Sequence, residues 1–271
     1  MMLEDIEVDL LLEAIYRYYG FDFRDYSRVS ITRRILYIVG IEGLKTISAL
    51  QDKVLHDREC MERFLLNVSV NVTSMFRDPS FFLALRSLVI PILRTYPFIR
   101  IWHAGCSTGE EVYSMAILLR EEGLYHRCRL YATDINERVL RQAKTGIFPL
   151  KFMQNYTQNY LQSGGKKSFS EYYLVSGKDA IFDTSLRDNM IFSLHNLASD
   201  NSFNEFNLII CRNVLIYFNK TLQTRVHKLF YDSLDSFGIL VLGKQESIRF
   251  SPYESSYKYI DKVEKIYHRC K

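Results

Sequence analysis

The chain has 271 residues, of which 48% are hydrophobic and 24% charged, with a formal net charge of +4. This composition is typical of a folded globular protein and excludes a largely disordered chain, and the small positive charge does not by itself indicate nucleic-acid binding. The five cysteines are widely spaced and form no C-x-x-C pair, which disfavours a zinc site or a disulfide framework.

The N-terminus is acidic from Glu4 onward, and no apolar run is long enough to cross a bilayer. We therefore expect a cytoplasmic protein in a reducing compartment, with no signal peptide and no bound metal.

Residues 3–70 carry helical patterns without a strand run. Apolar residues recur with a helical period from Leu10 to Tyr18, and we expect Gly20 to end this helix. Ser30 is expected to cap a second helix that closes at Gly40, followed by short helices at 47–55 and 61–68. The sequence predicts an all-helical N-terminal domain at 1–70, then a helix at 80–94 that Pro91 kinks or ends.

Strands and helices alternate from residue 99 onward. Strands are predicted at 99–104, 129–133, 190–194, 206–211 and 239–242, and helices at 110–122, 136–144 and 222–234, with Phe237-Gly238 as a turn. An antiparallel pair at 257–260 and 265–269 closes the chain. The fold class is therefore α/β, with a Rossmann-like sheet in a domain at 71–271. The Tyr-, Ser- and Gly-rich segment at about 150–188 predicts a small inserted antiparallel β-subdomain.

A glycine-containing turn, Gly105 to Gly109, joins the first strand to its helix, where open α/β sheets bind ligands. The G-x-G-x-x-G dinucleotide fingerprint is absent, and Glu110 and Glu111 would repel a pyrophosphate, which disfavours an NAD-dependent oxidoreductase. Asp134 ends the second strand, where it can accept ribose hydroxyls. Together these features favour a nucleoside with a cationic portion, such as S-adenosylmethionine.

Each feature has an ordinary alternative: a tight turn, first-turn acids, or an N-cap in the case of Asp134. Asn196 and Asn213 follow two further strands, and their amides can contact an adenine edge or the amino-acid part of the ligand. Turn formation is the ordinary role of such asparagines.

Four ordered segments resemble the motifs of the chemotaxis-receptor methyltransferases, the CheR family. They are NVTSMFRD at 71–78, AGCSTGEEVYS at 104–114, ATDI at 132–135 and CRNVLIYF at 211–218. The resemblance implies an S-adenosylmethionine-dependent protein-glutamate O-methyltransferase. The segment at 242–247 departs from the family's commoner Gly-His-Ser-Glu pattern, and the insertion at 153–183 is longer than usual.

The resemblance implies roles for individual residues. Arg77 and Tyr217 match residues near the transferred methyl group. With Gly105 of the turn, the expected cofactor contacts are Asn71, Thr73, Arg77, Glu111, Asp134, Asn196, Leu197, Asn213 and Val214. A glutamate carboxylate is ionised near neutral pH, so the lack of an evident general base is expected.

The implied partners are methyl-accepting chemotaxis receptors or a related signalling protein, with no nucleic acid and membrane proximity only through the receptor. Arg28, Arg33 and Arg34 lie on or beside the second helix and are the candidate docking face for an acidic substrate helix. We expect a monomer. The alternatives are a catalytically silent S-adenosylmethionine-binding signalling module and a methyltransferase for another substrate.

Overall fold

The computed structural model describes residues 2–69 and 73–270. The predicted domain boundary at residues 70 and 71, and the predicted cofactor contact Asn71, lie outside the described residues and stay predictions. None of the helices in the described part of the chain combines the length and the apolar character needed to span a bilayer.

The N-terminal region is entirely helical, as predicted. Its helices are α1 (Leu3–Tyr19), α2 (Arg28–Ile41), α3 (Ile47–His56) and α4 (Arg58–Val68), packed around a shared apolar core. The expected cap of α2 is wrong: Ser27, not Ser30, occupies the N-cap position, and the helix continues through Gly40. The Ser27 amide donates to the Tyr217 carbonyl at 2.7 Å, so a contact with a distant loop fixes where α2 begins.

A continuous helical rod follows, formed by α5 (Pro79–Ala84), a π turn (Leu85–Val89) and α6 (Ile90–Leu93). Pro91 lies inside the rod and does not end it. Proline lacks an amide hydrogen and clashes with the preceding turn, and a wider π turn just before it relieves both problems.

The described residues form ten strands, and seven of them build the main sheet. The strands are β1 (Ile99–Ala104), β2 (Cys128–Asp134), β3 (Ile147–Pro149), β4 (Tyr173–Ser176), β5 (Asp179–Phe182), β6 (Met190–Leu194), β7 (Phe206–Cys211), β8 (Leu234–Leu242), β9 (Tyr257–Asp261) and β10 (Ile266–Arg269). The main sheet has the order β6-β2-β1-β7-β8-β10-β9. Pairing is parallel from β6 through β8 and antiparallel at β10.

This order confirms the Rossmann-like α/β fold. The helices that follow the parallel strands are α7 (Glu110–Glu121), α8 (Glu137–Thr145) and, after the inserted α9 (Met153–Gln162), α10 (Lys220–Ser233). Strand β8 begins earlier than predicted, so Phe237-Gly238 is part of the strand rather than a turn. An irregular register between β7 and β8 accommodates the extra residues.

The insertion contains the predicted small antiparallel sheet, with strand order β3-β5-β4. It also contains the helix α9, which the sequence analysis missed because its segment reads as a polar, Tyr- and Asn-rich loop. Glu121, at the end of α7, binds the insertion to the main domain. Its buried carboxylate accepts hydrogen bonds from the hydroxyls of Tyr160 and Tyr172 and the amide of Lys166, and it pairs with Arg86.

Replacing Glu121 with glutamine should therefore lower the free energy of unfolding by about 2 kcal/mol, because several buried donors lose an anionic acceptor, while Arg86 loses Glu121 but keeps its ion pair with Glu122. Denaturant titration measures this change. Glu137→Gln is the matched control. Glu137 is exposed, and among the residues that the structure describes its one ion pair is with Arg141, one helical turn away; the effect should stay below about 0.5 kcal/mol. Equal effects of the two substitutions would contradict the role assigned to Glu121.

Candidate functional site

A cleft lies at the carboxyl edge of the parallel strands, where the helical domain meets the sheet. Parallel strands end at the same edge, so the loops after β1, β2, β6 and β7 meet there. The cleft brings together ten of the residues singled out from the sequence: Thr73, Arg77, Gly105, Glu111, Asp134, Asn196, Leu197, Asn213, Val214 and Tyr217.

The first loop requires glycine at position 105. Gly105 has φ +79°, and a Cβ atom there would lie 2.5 Å from Cγ2 of Val214. The amides of Gly105 and Cys106 both donate to the Thr133 carbonyl, at 2.8 and 2.9 Å. The turn is therefore held against β2 and lies close to the loop after β7, with no room for a side chain between them.

Asp134 is buried at the end of β2 and organises two loops. Its carboxylate accepts hydrogen bonds from the amides of Ser107 at 2.9 Å and Asn136 at 3.0 Å. Asn136, not Asp134, is the N-cap of α8. Burial raises the pKa of Asp134, although the amide hydrogen bonds oppose the rise. A carboxylate has about four acceptor positions, so it can still accept ligand hydroxyls.

Glu111 belongs to a buried charge cluster. Its carboxylate forms a hydrogen bond with His103 Nδ1 at 3.1 Å and an ion pair with Arg212 Nη1 at 3.1 Å. Arg212 also pairs with Asp78. Burial opposes ionisation of Glu111, but the hydrogen bond from His103 and the charge of Arg212 outweigh it and lower the pKa. Two carboxylates, those of Glu111 and Asp78, share the Arg212 guanidinium here.

Glu110 does not face the cleft, although it adjoins Glu111 in sequence. Its carboxylate accepts the Thr108 hydroxyl at 2.6 Å and the Tyr156 hydroxyl at 3.4 Å, on the side of the insertion. Burial raises the pKa of Glu110. Of the acidic pair that the sequence analysis weighed, only Glu111 lines the cleft.

Arg77 reaches the cleft from a strained loop. Its neighbours Phe76 and Asp78 have φ values of +50° and +57°, a region that non-glycine residues rarely occupy. Surrounding contacts must hold such a conformation, which costs about 1–3 kcal/mol per residue. Phe76 is fully buried, and Asp78 is held by Arg212.

The loop after β7 is fixed by one buried carboxylate. Glu246 accepts the backbone amides of Asn213, Val214, Leu215 and Gly243 at 2.6 to 3.1 Å. Asn213 has φ +61°, so its left-handed backbone depends on these hydrogen bonds. The segment at 242–247 therefore supplies the glutamate that holds the loop after β7.

Asn196 serves in a turn as well as in the cleft. Its side-chain oxygen accepts the Ala198 amide at 2.9 Å, which is the ordinary role of an asparagine in a loop. Leu197 beside it is buried and lines the same cleft.

The helical domain closes one side of the cleft. Tyr26 and Ser69 line it, and the Asn219 amide donates to the Asp25 carbonyl at 2.9 Å, which joins the domains through backbone contacts. Tyr217 also lies at this junction, and the Arg34 guanidinium is 5.3 Å from its ring centroid.

The three arginines of the predicted docking face point in different directions. Arg28 pairs with Asp5 and Asp9, and Arg34 turns inward, where it donates to the Asn67 carbonyl at 2.9 Å. Arg33 is exposed on the outer side of α2.

Several cleft residues were not singled out from the sequence. Arg212 stands inside a quoted motif, and its position between a buried strand and Asn213 was the available signal. Ile135 and Phe218 also stand inside motif segments, but no role was predicted for them. Three further cleft residues lie outside the four motif segments: Tyr26, Ser69 and His195.

Comparisons with known proteins cover both domains. A family model described as the CheR methyltransferase SAM-binding domain matches residues 71–262, and the CheR methyltransferase all-alpha domain matches residues 6–69. A Pseudomonas putida protein named Cher3, itself only provisionally a methyltransferase, is 52% identical over 98% of this chain and 97% of its own. Chemotaxis protein methyltransferases of Listeria innocua and Escherichia coli are 28% and 26% identical, covering 91% of this chain and 93% and 86% of theirs.

These matches confirm the resemblance seen in the four motifs and identify the cofactor as S-adenosylmethionine. The described residues fit that cofactor. The Glu111 carboxylate lines the cleft and is suited to a sulfonium or ammonium group, and Asp134 offers acceptors for ribose hydroxyls.

Because Glu246 holds the loop of Asn213 and Val214, Glu246→Gln should weaken binding of S-adenosylhomocysteine about tenfold. One carboxylate oxygen becomes an NH2 group, which would face two of the backbone donors and cannot accept from them, while the remaining oxygen still accepts from the other two. Isothermal titration measures the affinity. The control is Glu254→Gln, because Glu254 is exposed and its carboxylate accepts a single hydrogen bond within residues 2–69 and 73–270, from the Phe250 amide at 2.8 Å. Unchanged affinity in a folded Glu246→Gln variant would contradict the role of this carboxylate.

Proposed function

Because the chain belongs to the CheR methyltransferase family, we propose that it transfers the methyl group of S-adenosylmethionine to glutamate carboxylates of methyl-accepting chemotaxis receptors or a related signalling protein. The observation that carries the proposal is that Arg77 and Tyr217 line the same cleft as the predicted cofactor contacts. A guanidinium and a phenol are suited to orienting a carboxylate, the first by two parallel hydrogen bonds.

The protonation chemistry of the cleft supports a carboxylate substrate. Glu111 accepts hydrogen bonds from His103 and Arg212, and Asp134 accepts two backbone amides, so both acids already serve the binding loops. An amine or hydroxyl substrate would need a base to remove a proton. A glutamate side chain, with an ordinary pKa of about 4.3, arrives ionised and needs only to be placed.

The roles of the cofactor contacts follow from their chemistry. S-adenosylmethionine supplies the methyl group when it is bound. We assign Asp134 to the ribose hydroxyls and Glu111 to the positively charged part of the cofactor. The side-chain amides of Asn196 and Asn213 are assigned to the adenine edge or the amino-acid part of the cofactor. Thr73, Gly105, Leu197 and Val214 complete the cofactor side of the cleft, with Asn71 as a predicted contact.

A receptor helix is proposed to dock on the outer face of α2. Val29, Arg33, Leu36 and Tyr37 follow a helical spacing on that face and are all exposed. An apolar stripe with a cation at its centre suits an amphipathic, acidic helix. Arg28 and Arg34 contribute less directly, because the first is paired within the domain and the second contacts Tyr217.

The reaction class is tested by the chemistry of the product. Labelled methyl groups transferred to a receptor preparation should be released as methanol by mild base, because carboxyl esters hydrolyse readily and N-methyl groups do not. Arg77→Ala should lower kcat by about 100-fold or more, since it removes the group that orients the carboxylate. A base-stable product would refute glutamate methylation, and absence of any transfer would favour a catalytically silent binding module.

Reversing the charge of Arg33 tests the docking face. Arg33→Glu should raise the KM for receptor about tenfold while the affinity for S-adenosylhomocysteine stays unchanged, because the residue lies outside the cleft. Arg58→Glu on α4 makes the same charge change at an exposed position, where the described part of the chain offers one ion pair, with Glu62 at 3.9 Å. If both variants change KM equally, the net charge of the domain and not the α2 face attracts the receptor.

A further inference from the structure

The strained loop that carries Arg77 contacts the inserted subdomain as well as the cofactor motifs. Phe76 is fully buried, and its ring centroid lies 5.2 Å from that of Tyr160 and 6.1 Å from that of Phe169, both within the insertion. Asn159 donates a hydrogen bond to the Met75 carbonyl at 3.0 Å. Two consecutive residues before Arg77 are therefore held by the insertion.

The contacts come from one face of helix α9. Tyr156, Asn159 and Tyr160 are spaced as i, i+3 and i+4, so their side chains lie together on the helix surface. Tyr156 reaches Glu110 in the first turn of α7, while Asn159 and Tyr160 reach the loop of residues 75 and 76.

A second path connects the same elements through hydrogen bonds. The Phe76 amide donates to the Ser114 hydroxyl at 2.9 Å, and Ser114 donates to the Glu110 carbonyl at 2.6 Å. Glu110 itself accepts the Tyr156 hydroxyl. The left-handed backbone at Phe76 is thus fixed between α7 and α9, and neither the aromatic contact nor the hydrogen bonds include a residue that lines the cleft.

We infer that helix α9 of the insertion positions Arg77 for the transfer step, with Asn159 as the positioning residue. The inference rests on the proposed role of Arg77 in orienting the substrate carboxylate. A strained backbone relaxes when its supports are removed, and a displacement of about 1 Å at an orienting group can lower a rate by as much as 100-fold. The insertion is then part of the catalytic machinery in addition to any role in partner binding.

The experiment uses the full chain and four variants: Asn159→Ala, Gln158→Ala, Arg77→Ala and the double variant of residues 159 and 77. Gln158 is the matched control because it is the exposed neighbour of Asn159 on the same helix. Asn159→Ala should lower kcat with receptor about tenfold, with KM for receptor, affinity for S-adenosylhomocysteine and melting temperature close to wild type. Gln158→Ala should behave as wild type.

The double variant separates positioning from general stability. If Asn159 acts through Arg77, its substitution causes no further loss once Arg77 is alanine, whereas independent effects multiply. Asn159→Asp keeps the shape of the side chain but replaces the donor with an acceptor, so it should lower kcat at least as much as alanine does.

The outcomes distinguish this inference from the proposed function. A loss in Asn159→Ala that persists unchanged in the Arg77→Ala background, or an equal loss in Gln158→Ala, overturns the positioning role and leaves the proposed function intact. An Arg77→Ala variant with wild-type kcat overturns the assigned role of Arg77, and the inference about Asn159 falls with it.

Discussion

One buried guanidinium joins the parts of the cleft that must act together. The Arg212 side chain is 3% exposed, and it contacts Glu111 of α7, Asp78 beside Arg77 and the ring of Phe81 at 4.1 Å. A buried charge is tolerated only when partners offset its loss of hydration. Glu111 belongs to α7 and Asp78 to the loop that carries Arg77. The burial of Arg212 therefore requires α7, this loop and the end of β7 to come together.

Backbone strain is concentrated in the same region. Six described non-glycine residues have positive φ, and four of them, Phe76, Asp78, Ser107 and Asn213, line the cleft or adjoin a residue that does. Each is held by contacts from another element: Phe76 by α9, Asp78 by Arg212, Ser107 by Asp134, and Asn213 by Glu246. The binding loops are thus preorganised by buried carboxylates, a guanidinium and aromatic packing.

The sequence predicts those parts of the fold that depend on local pattern. Apolar strands such as 206–211 and the glycine turn at 105 carry periodicity and conformational signals that need no knowledge of distant contacts. The start of α2 was misplaced because a backbone bond from Ser27 to Tyr217 decides it. Helix α9 was missed because its support comes from Glu110, Glu121 and Phe76, none of which is near it in sequence.

The local sequence pattern also does not predict the direction in which charged side chains point. Arg28, Arg33 and Arg34 are close neighbours on one helix, yet they meet an acidic pair, solvent and an aromatic ring, because the partners come from α1 and from the loop after β7. The motifs predict more about position, since ten of the residues singled out from the sequence line one cleft. Their individual partners, such as Asp134 with the Ser107 amide, follow from sheet register and not from sequence spacing.

The two faces of α2 meet different surroundings. The inner face of α2 places Arg34 over Tyr217, and the segment before it contributes Tyr26 to the cleft. The outer face exposes Val29, Arg33 and Tyr37. If the receptor helix docks on the outer face as proposed, α2 has the partner on one side and, on the other, the Arg34 contact with Tyr217 at the edge of the cleft.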